Sequence, residues 1–252
     1  MARRRFFVDS IHSGHAHIAG EDAHHLTRVL RVQAGQKFEI SDNQNVYLAE
    51  IESARKDLVS FAILQRLPAP EPGLQTTLLI SLIKFERFEW IVEKATELGV
   101  GRLIPVEAER SEKGLARAVT KRLERWNRIA REASEQSRRA RLPEIGDSIP
   151  LPAALTIAAD HRYVLEERSA PPILRVLPAG HKPQDRLAVL VGPEGGWTDR
   201  ERESIAAAQW QPVSLGGQIL RTETAAIAAL AILSAVWGVL IDAPETADLN
   251  KR

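Results

Sequence analysis

The spacing of apolar and polar residues changes character once along this 252-residue chain, close to residue 70. Before that point, short apolar segments alternate with polar turns, which is the pattern of a small β-barrel. The predicted strands of this part cover residues 37–40, 46–51 and 58–64. A short helix is predicted over residues 24–31, with Glu21 and Asp22 at its positive end, where the helix dipole favours carboxylates.

After residue 73, uninterrupted apolar strands alternate with longer amphipathic helices. This alternation indicates an α/β fold whose parallel sheet is covered by helices on both faces. The predicted strands cover residues 77–83, 103–106, 163–165, 187–191 and 212–215. The predicted helices cover residues 88–98, 119–139, 198–208 and 224–240.

A cluster of prolines divides these two parts. Residues 67–73 contain three prolines and a glycine, which disfavour both helix and strand pairing. We therefore predict a first domain over residues 1–67, a linker over 68–73, a second domain over 74–242 and a flexible tail over 243–252. The apolar run at 225–241 is rich in alanine and shorter than the roughly 20 strongly apolar residues of a membrane span, so a buried helix is predicted there in preference to a membrane segment.

The charge of the chain is nearly balanced, with 34 Lys and Arg against 33 Asp and Glu, which argues against a uniformly basic surface. The charge is unevenly placed, because residues 117–141 contain nine Arg and Lys but three Glu. This segment is either a phosphate-binding surface or an ordinary solvated helix face, and both interpretations stay open. The absence of cysteine excludes disulfides and thiolate metal sites, and makes a cytoplasmic location the simplest expectation.

Two glycine-containing loops follow apolar strands and are the strongest candidates for a binding site. The first, at 192–197, contains Gly192, Gly195 and Gly196 and precedes a capping box formed by Thr198 and Glu201. The second, at 215–225, leads through Arg221 and Glu223 into a helix. Ligands of open α/β sheets bind beyond the carboxyl ends of strands, so we predict that both loops form one pocket, although a glycine loop alone is more often an ordinary tight turn.

Other site types lack support in the sequence. The chain contains neither a Walker loop nor a Gly-x-Gly-x-x-Gly fingerprint, which argues against a nicotinamide-dependent oxidoreductase. The histidines lack the spacing of a zinc site, and no metal is expected.

Several segments, in this order, resemble the RsmE family of 16S ribosomal RNA uridine-N3 methyltransferases, which belong to the SPOUT class. The matching segments are 25–31 (HLTRVLR), 84–90 (KFERFEW), 93–100 (EKATELGV), 132–137 (EASEQS), 191–196 (VGPEGG) and 215–225 (LGGQILRTETA). The resemblance implies a PUA-like RNA-binding barrel over residues 1–67, followed by a SPOUT-type parallel-sheet domain with a trefoil knot. It also implies S-adenosylmethionine as cofactor, a homodimer, and 16S ribosomal RNA within the small subunit as substrate.

The resemblance implies functional roles for individual residues as well. The residues expected around the cofactor are Gly192, Glu194, Gly196, Leu215, Gly216, Leu220, Arg221 and Thr222. The residues expected to contact RNA are Arg3, Arg5, Arg28, Arg31, Arg138 and Arg139. Uracil N3 carries a proton at neutral pH, so Arg221 is expected to stabilise the anion while Glu223 or Glu194 accepts the proton.

A non-catalytic RNA-binding or ribosome-assembly protein is the alternative function. Such a protein would keep the barrel and the basic segment at 117–141, but it would have no need of S-adenosylmethionine. Binding of that cofactor therefore separates the two functions.

Overall fold

The structure is a computed structural model that describes residues 5–68, 74–112 and 114–237. It divides into two units. One comprises Met1–Glu71 with Ala130–Leu142, and the other comprises Pro72–Ile129 with Pro143–Arg252. The division after Glu71 falls inside the predicted linker. The sequence prediction assigns residues 130–142 to the second domain, because a continuous stretch of chain does not indicate which distant unit it packs against.

The first unit contains a six-stranded sheet. Its strands are β1 (Arg5–Phe7), β2 (Ile11–His12), β3 (His15–Ala19), β4 (Lys37–Ser41), β5 (Val46–Arg55) and β6 (Leu58–Leu67). The strand order is β1-β4-β5-β6-β3-β2. All neighbours are antiparallel except β1 and β4. The three predicted strands correspond to β4, β5 and β6, whereas β1, β2 and β3 are too short or too polar to stand out in the sequence.

Helix α1 (Gly20–Arg28) packs against this sheet through Ala23 and Leu26, which are fully buried. Glu21 and Asp22 lie in its first turn, as predicted. The helix begins and ends earlier in the chain than the predicted bounds of 24–31. The helix ends at Arg28, and Arg31 has a φ of 52°, a left-handed backbone that cannot continue a right-handed helix.

The second unit contains a parallel sheet, as predicted. Its strands are β7 (Gln75–Ser81), β8 (Arg102–Glu107), β9 (Glu144–Ile145), β10 (Ile149–Pro150), β11 (His161–Leu165), β12 (Arg186–Val191) and β13 (Gln211–Val213). The order is β10-β8-β7-β12-β11-β13, with β9 also paired to β8. The central strands β7 and β12 are buried along nearly their whole length, which is why they appear as unbroken apolar runs in the sequence.

Helices α2–α8 belong mainly to this second unit. They are α2 (Phe85–Glu97), α3 (Ala116–Val119), α4 (Leu123–Gln136), α5 (Leu151–Ala154), α6 (Ile173–Val176), α7 (Asp199–Ala207) and α8 (Thr222–Trp237). The prediction of one helix over 119–139 is wrong, because α3 and α4 are separate. Arg138 takes a left-handed φ of 57° just beyond α4 and prevents its continuation.

The apolar run near the carboxyl end forms α8, whose buried side includes Ala226, Leu230 and Leu233. The predicted end of this helix at 240 and the predicted tail at 243–252 lie outside the described residues. Across the described part of the chain, every helix is too short or too polar to cross a membrane.

Candidate functional site

A cavity of about 330 Å³ opens at the carboxyl ends of β11, β12 and β13, which are neighbours in the sheet. Three loops line it together with the start of α8. The lining residues are 165–170, 191–193, 196–197 and 213–220, with Thr222 and Ala225. The size falls within the range of small-molecule sites, and the position is where parallel sheets bind ligands.

The first glycine loop approaches the cavity with its backbone. A Cβ atom on Gly192 would lie 3.0 Å from the ring of Trp197, which is itself buried. Gly196 has a φ of +66°, and a Cβ there would lie 2.3 Å from a carboxylate oxygen of Glu167. A side chain would be crowded at Gly192 and strained at Gly196, and both residues border the cavity without side chains of their own.

The start of α7 fixes the far end of this loop. Thr198 and Glu201 form the predicted capping box, with the Thr198 hydroxyl accepting from the Glu201 backbone and the Glu201 carboxylate accepting from the Thr198 backbone. Glu201 is buried and also accepts a hydrogen bond of 2.8 Å from the backbone of Glu109. Trp197 donates to the carbonyl oxygen of Leu165 at 3.3 Å.

The loop after β11 lies between the two glycine loops and was not predicted, because it contains no glycine. Its Glu166 binds Arg202 at 2.8 Å. Burial raises the pKa of Glu166, but hydrogen bonds from Arg202 and from the Arg168 backbone outweigh it, so the pKa lies below its usual value. The pKa of Arg202 is raised by the same pairing. This wall of the cavity therefore carries a fixed ion pair.

The second glycine loop closes the other side of the cavity. Leu215, Gly216 and Leu220 line it, as predicted. The hydroxyl of Thr222, at the start of α8, donates a hydrogen bond of 3.3 Å to the carbonyl oxygen of Gly192. The two glycine loops therefore contribute to one cavity, which confirms the prediction of a common pocket.

The charged residues of the predicted site border the cavity rather than line it. Arg221 is exposed, whereas Glu223 is 7% exposed. Oε1 of Glu223 lies 3.9 Å from Nε of Arg87, and its Oε2 has no hydrogen-bond partner among the described residues. Glu194 is exposed and forms an ion pair with Arg87. Of the two predicted proton acceptors, Glu223 is thus the buried one, and its Oε2 has no hydrogen-bond partner among the described residues.

Two arginines outside the predicted set also hold the first glycine loop. Arg87, in the first turn of α2, pairs with Glu194. Arg110 donates a hydrogen bond of 2.7 Å to the carbonyl oxygen of Gly195. Arg87 lies inside one of the matching segments, so the resemblance contained a signal for it, but nothing in the sequence links Arg110 to a loop 85 residues away.

The predicted RNA-contacting residues of the first unit fall into two groups. Arg28 and Arg31 are exposed, as a phosphate contact requires. Arg5 is 9% exposed, and its guanidinium binds Glu39 at 2.8 Å and the carbonyl oxygen of Arg138 at 2.5 Å. This geometry is that of an internal structural residue and does not support an RNA contact.

The remaining members of that set are Arg138, Arg139 and Arg3. Arg138 also binds Glu39, at 2.6 Å, although its side chain is partly exposed. Burial lowers the pKa of Arg139 to about 10, so its guanidinium stays charged at neutral pH. Arg3 lies outside the described residues. Among residues 5–68, 74–112 and 114–237, no group of three or more metal-binding side chains comes together.

Comparisons with known proteins match both units. A family model described as "RNA methyltransferase domain" matches residues 70–234, and one described as "RNA methyltransferase PUA domain" matches residues 18–64. The ribosomal RNA small subunit methyltransferase E of Bacillus subtilis is 34% identical over 231 residues, which are 86% of this chain and 88% of that protein. The protein of the same name from Synechocystis is 34% identical over 227 residues, 84% of this chain and 70% of its own length.

A solved structure is similar to the whole fold. It is the crystal structure of a ribosomal RNA small subunit methyltransferase E from Neisseria gonorrhoeae bound to S-adenosyl methionine. Its TM-score to this chain is 0.83 at 29% identity, covering 93% of this chain and 98% of that one.

Proposed function

Because this chain belongs to the ribosomal RNA small subunit methyltransferase E family, we propose that it methylates ribosomal RNA with S-adenosylmethionine as the methyl donor. The chain is a methyltransferase enzyme with an amino-terminal PUA domain and a parallel-sheet catalytic domain. The observation that carries the proposal is the cavity at the carboxyl ends of β11, β12 and β13, which lies in the family's methyltransferase domain.

The residues around this cavity fit S-adenosylmethionine. Gly192 and Gly196 place backbone without side chains at the cavity, at positions where a Cβ would be crowded or strained. Leu215, Gly216 and Leu220 line the cavity from the second glycine loop. Thr222 and the unpredicted residue Glu166 add a hydroxyl and an ionised carboxylate. When bound, the cofactor supplies a methyl group on a positively charged sulfur, from which an attacking nitrogen can take it.

Charged side chains at the start of α8 supply the proton chemistry in this proposal. Glu223 would accept the proton of the attacking nitrogen at Oε2, since that atom is buried and has no hydrogen-bond partner among the described residues. Arg221, which is exposed beside it, would stabilise the negative charge left on the base. Glu194 is the weaker candidate for the acceptor because its carboxylate is exposed and makes the shorter of the two ion pairs with Arg87.

The RNA would dock on the first unit. Arg28 and Arg31 are exposed at the end of α1 and suit phosphate contacts. Arg3, Arg138 and Arg139 stay in the proposed set, whereas Arg5 is better explained by its internal pairing with Glu39.

The finer features of the family belong to the same proposal. The target would be N3 of a uridine in the decoding region of 16S ribosomal RNA, presented by the small subunit in the cytoplasm. The catalytic sheet would contain a trefoil knot, and the enzyme would act as a homodimer. The surface of α8 is consistent with a homodimer. Thr224, Ala231 and Ala235 are exposed on one side of this helix, and small residues allow a helix of a second copy to pack closely.

Methyl transfer with purified components tests this function. The protein is incubated with labelled S-adenosylmethionine and either naked 16S ribosomal RNA or assembled small subunits, and the RNA is then digested and its nucleosides are identified by mass spectrometry. We expect 3-methyluridine at one position. Cofactor binding without methylation of either RNA would contradict the proposed substrate, and no cofactor binding would favour the non-catalytic alternative.

A further inference from the structure

Arg87 stands between two carboxylates that come from different segments of the catalytic unit. It lies in the first turn of α2, and its side chain is 36% exposed. One carboxylate is Glu194, with which it forms an ion pair. The other is Glu223, whose Oε1 lies 3.9 Å from Nε of Arg87. A single guanidinium therefore reaches both acidic side chains.

The two carboxylates belong to the two loops that form the cofactor cavity. Glu194 lies between Gly192 and Gly196 in the first loop, and Glu223 lies in the first turn of α8. The hydrogen bond from Thr222 to Gly192 is a direct link between these segments. Arg87 adds a second link, which comes from a helix that does not line the cavity.

The charges of Glu194 and Glu223 explain why the contact through Arg87 matters. Two carboxylates that approach the same point repel each other unless a cation lies between them, and Glu223 is nearly removed from solvent. Its Oε2 has no hydrogen bond in the described part of the chain, and Arg87 is the cation in the described part of the chain that approaches its other oxygen, Oε1. An arginine suits this position because its planar group carries several donors, whereas a lysine is a point charge.

We propose that Arg87 is a positioning residue that joins the first glycine loop to the start of α8 and thereby shapes the cofactor cavity. In the described part of the chain its side chain forms ion pairs with Glu194 and Glu223, neither of which lines the cavity. This inference rests on the proposed function of the cavity as the S-adenosylmethionine site.

Calorimetric titration of S-adenosylmethionine into four proteins tests the inference. They are the parent, Arg87→Ala, Arg87→Lys and the matched control Arg186→Ala. Arg186 is also a half-exposed arginine in an ion pair, with Asp160 at 3.1 Å, but it lies at the opposite end of β12 from the glycine loop. We expect dissociation constants about tenfold higher for Arg87→Ala, about threefold higher for Arg87→Lys, and within twofold of the parent for the control.

A charge-relieving variant separates positioning from general packing. Arg87→Ala removes the cation that Glu194 and Glu223 share, so neutralising one of them in Arg87→Ala/Glu194→Gln should restore part of the lost affinity. A role in packing alone would give no such recovery. Thermal unfolding of each variant checks that it is folded. If Arg87→Ala does not fold, the affinity of Arg87→Lys is compared with that of the parent instead.

Failure of the Arg87 proposal and failure of the proposed function give different results in this titration. If the parent binds S-adenosylmethionine and the Arg87 variants bind it within twofold of the parent, the positioning role is wrong. If the parent itself does not bind, the proposed function fails instead.

Discussion

At the carboxyl ends of β11, β12 and β13, the cavity exposes backbone, because Gly192 and Gly196 have no side chains to cover it. The arginine-rich segment at 117–141 presents long charged side chains, and many of these are bound within the protein. Its internal ion pairs include Arg125 with Glu89, Arg131 with Asp22 and Arg138 with Glu39. The cavity thus presents mainly glycine-loop backbone, some of which is held by internal hydrogen bonds from Thr222 and Arg110. The segment, in contrast, uses much of its charge to hold its own surroundings.

The contrast shows why charge and backbone differ as indicators of function. A glycine at a left-handed φ or at a close contact is required by local geometry, so its meaning changes little with distant partners. The meaning of an arginine depends on what lies opposite it after folding. The segment's net positive charge therefore gives only an upper limit to the charge it can offer to RNA.

The largest expected effect concerns the internal pairing of the segment. Glu39→Ala leaves Arg5, which is almost buried, without its carboxylate, and it also frees Arg138. Because an uncompensated buried charge is costly, we expect the free energy of unfolding to fall by about 4 kcal/mol in chemical denaturation. Glu50→Ala is the control, since its 3.8 Å pair with Lys37 is exposed and should contribute less than about 1 kcal/mol. Equal losses of unfolding free energy in Glu39→Ala and Glu50→Ala would contradict the view that Glu39 compensates a buried charge.

The second prediction concerns the cavity. Gly196→Ala forces a side chain into a left-handed backbone and against Glu167, so S-adenosylmethionine should bind about 100-fold more weakly, equivalent to about 3 kcal/mol. Gly180→Ala is the control, because a Cβ there meets nothing within 4 Å and Gly180 does not line the cavity. Calorimetric titration measures both. Parent-like binding by the Gly196 variant would show that this loop does not form the site.

The third prediction uses a buried acid within the arginine-rich segment. Burial raises the pKa of Glu135 to about 7, although the Phe7 backbone and Arg131 act against it, while Asp22 and Glu132 add to it. The folded state therefore holds a proton that the unfolded state releases near its ordinary pKa of 4.5. Stability from this group is complete below about pH 4.5 and is lost as the pH rises towards 7.

Denaturation of the parent and of Glu135→Gln across this pH window measures the effect. Between pH 5 and pH 8, we expect the parent to lose about 2 kcal/mol more than the variant, with an allowance for partial solvent exposure. Parallel curves for the two proteins would show that Glu135 is ionised in the folded state throughout.

The smallest effect concerns RNA. Arg28→Ala or Arg31→Ala should weaken binding to 16S ribosomal RNA about threefold and reduce the slope of affinity against salt by about one unit, since each arginine is exposed. Arg125→Ala should leave that slope unchanged, because two of its nitrogens bind Glu89 at 2.7 and 2.8 Å. A reduced slope for Arg125→Ala would show instead that the segment at 117–141 contributes to RNA binding.

The sequence predicted the longer strands and helices of the second unit in their order, and the common pocket, because both depend on local patterns. It missed the short elements β9, β10, α5 and α6. Unbroken apolar runs identify buried parallel strands, and glycines after them mark the loops. It did not predict the loop at 165–170, whose position between the glycine loops follows from the strand order β12-β11-β13. It also could not place Arg110 or the structural role of Arg5, since their partners lie 85 and 34 residues away.

Nucleoside mass spectrometry of 16S ribosomal RNA from cells that lack this protein tests the central claim most directly. We predict the loss of one 3-methyluridine, its return when the parent protein is supplied, and its continued absence when Gly196→Ala is supplied. An unchanged set of methylated uridines in the deletion strain would contradict the account.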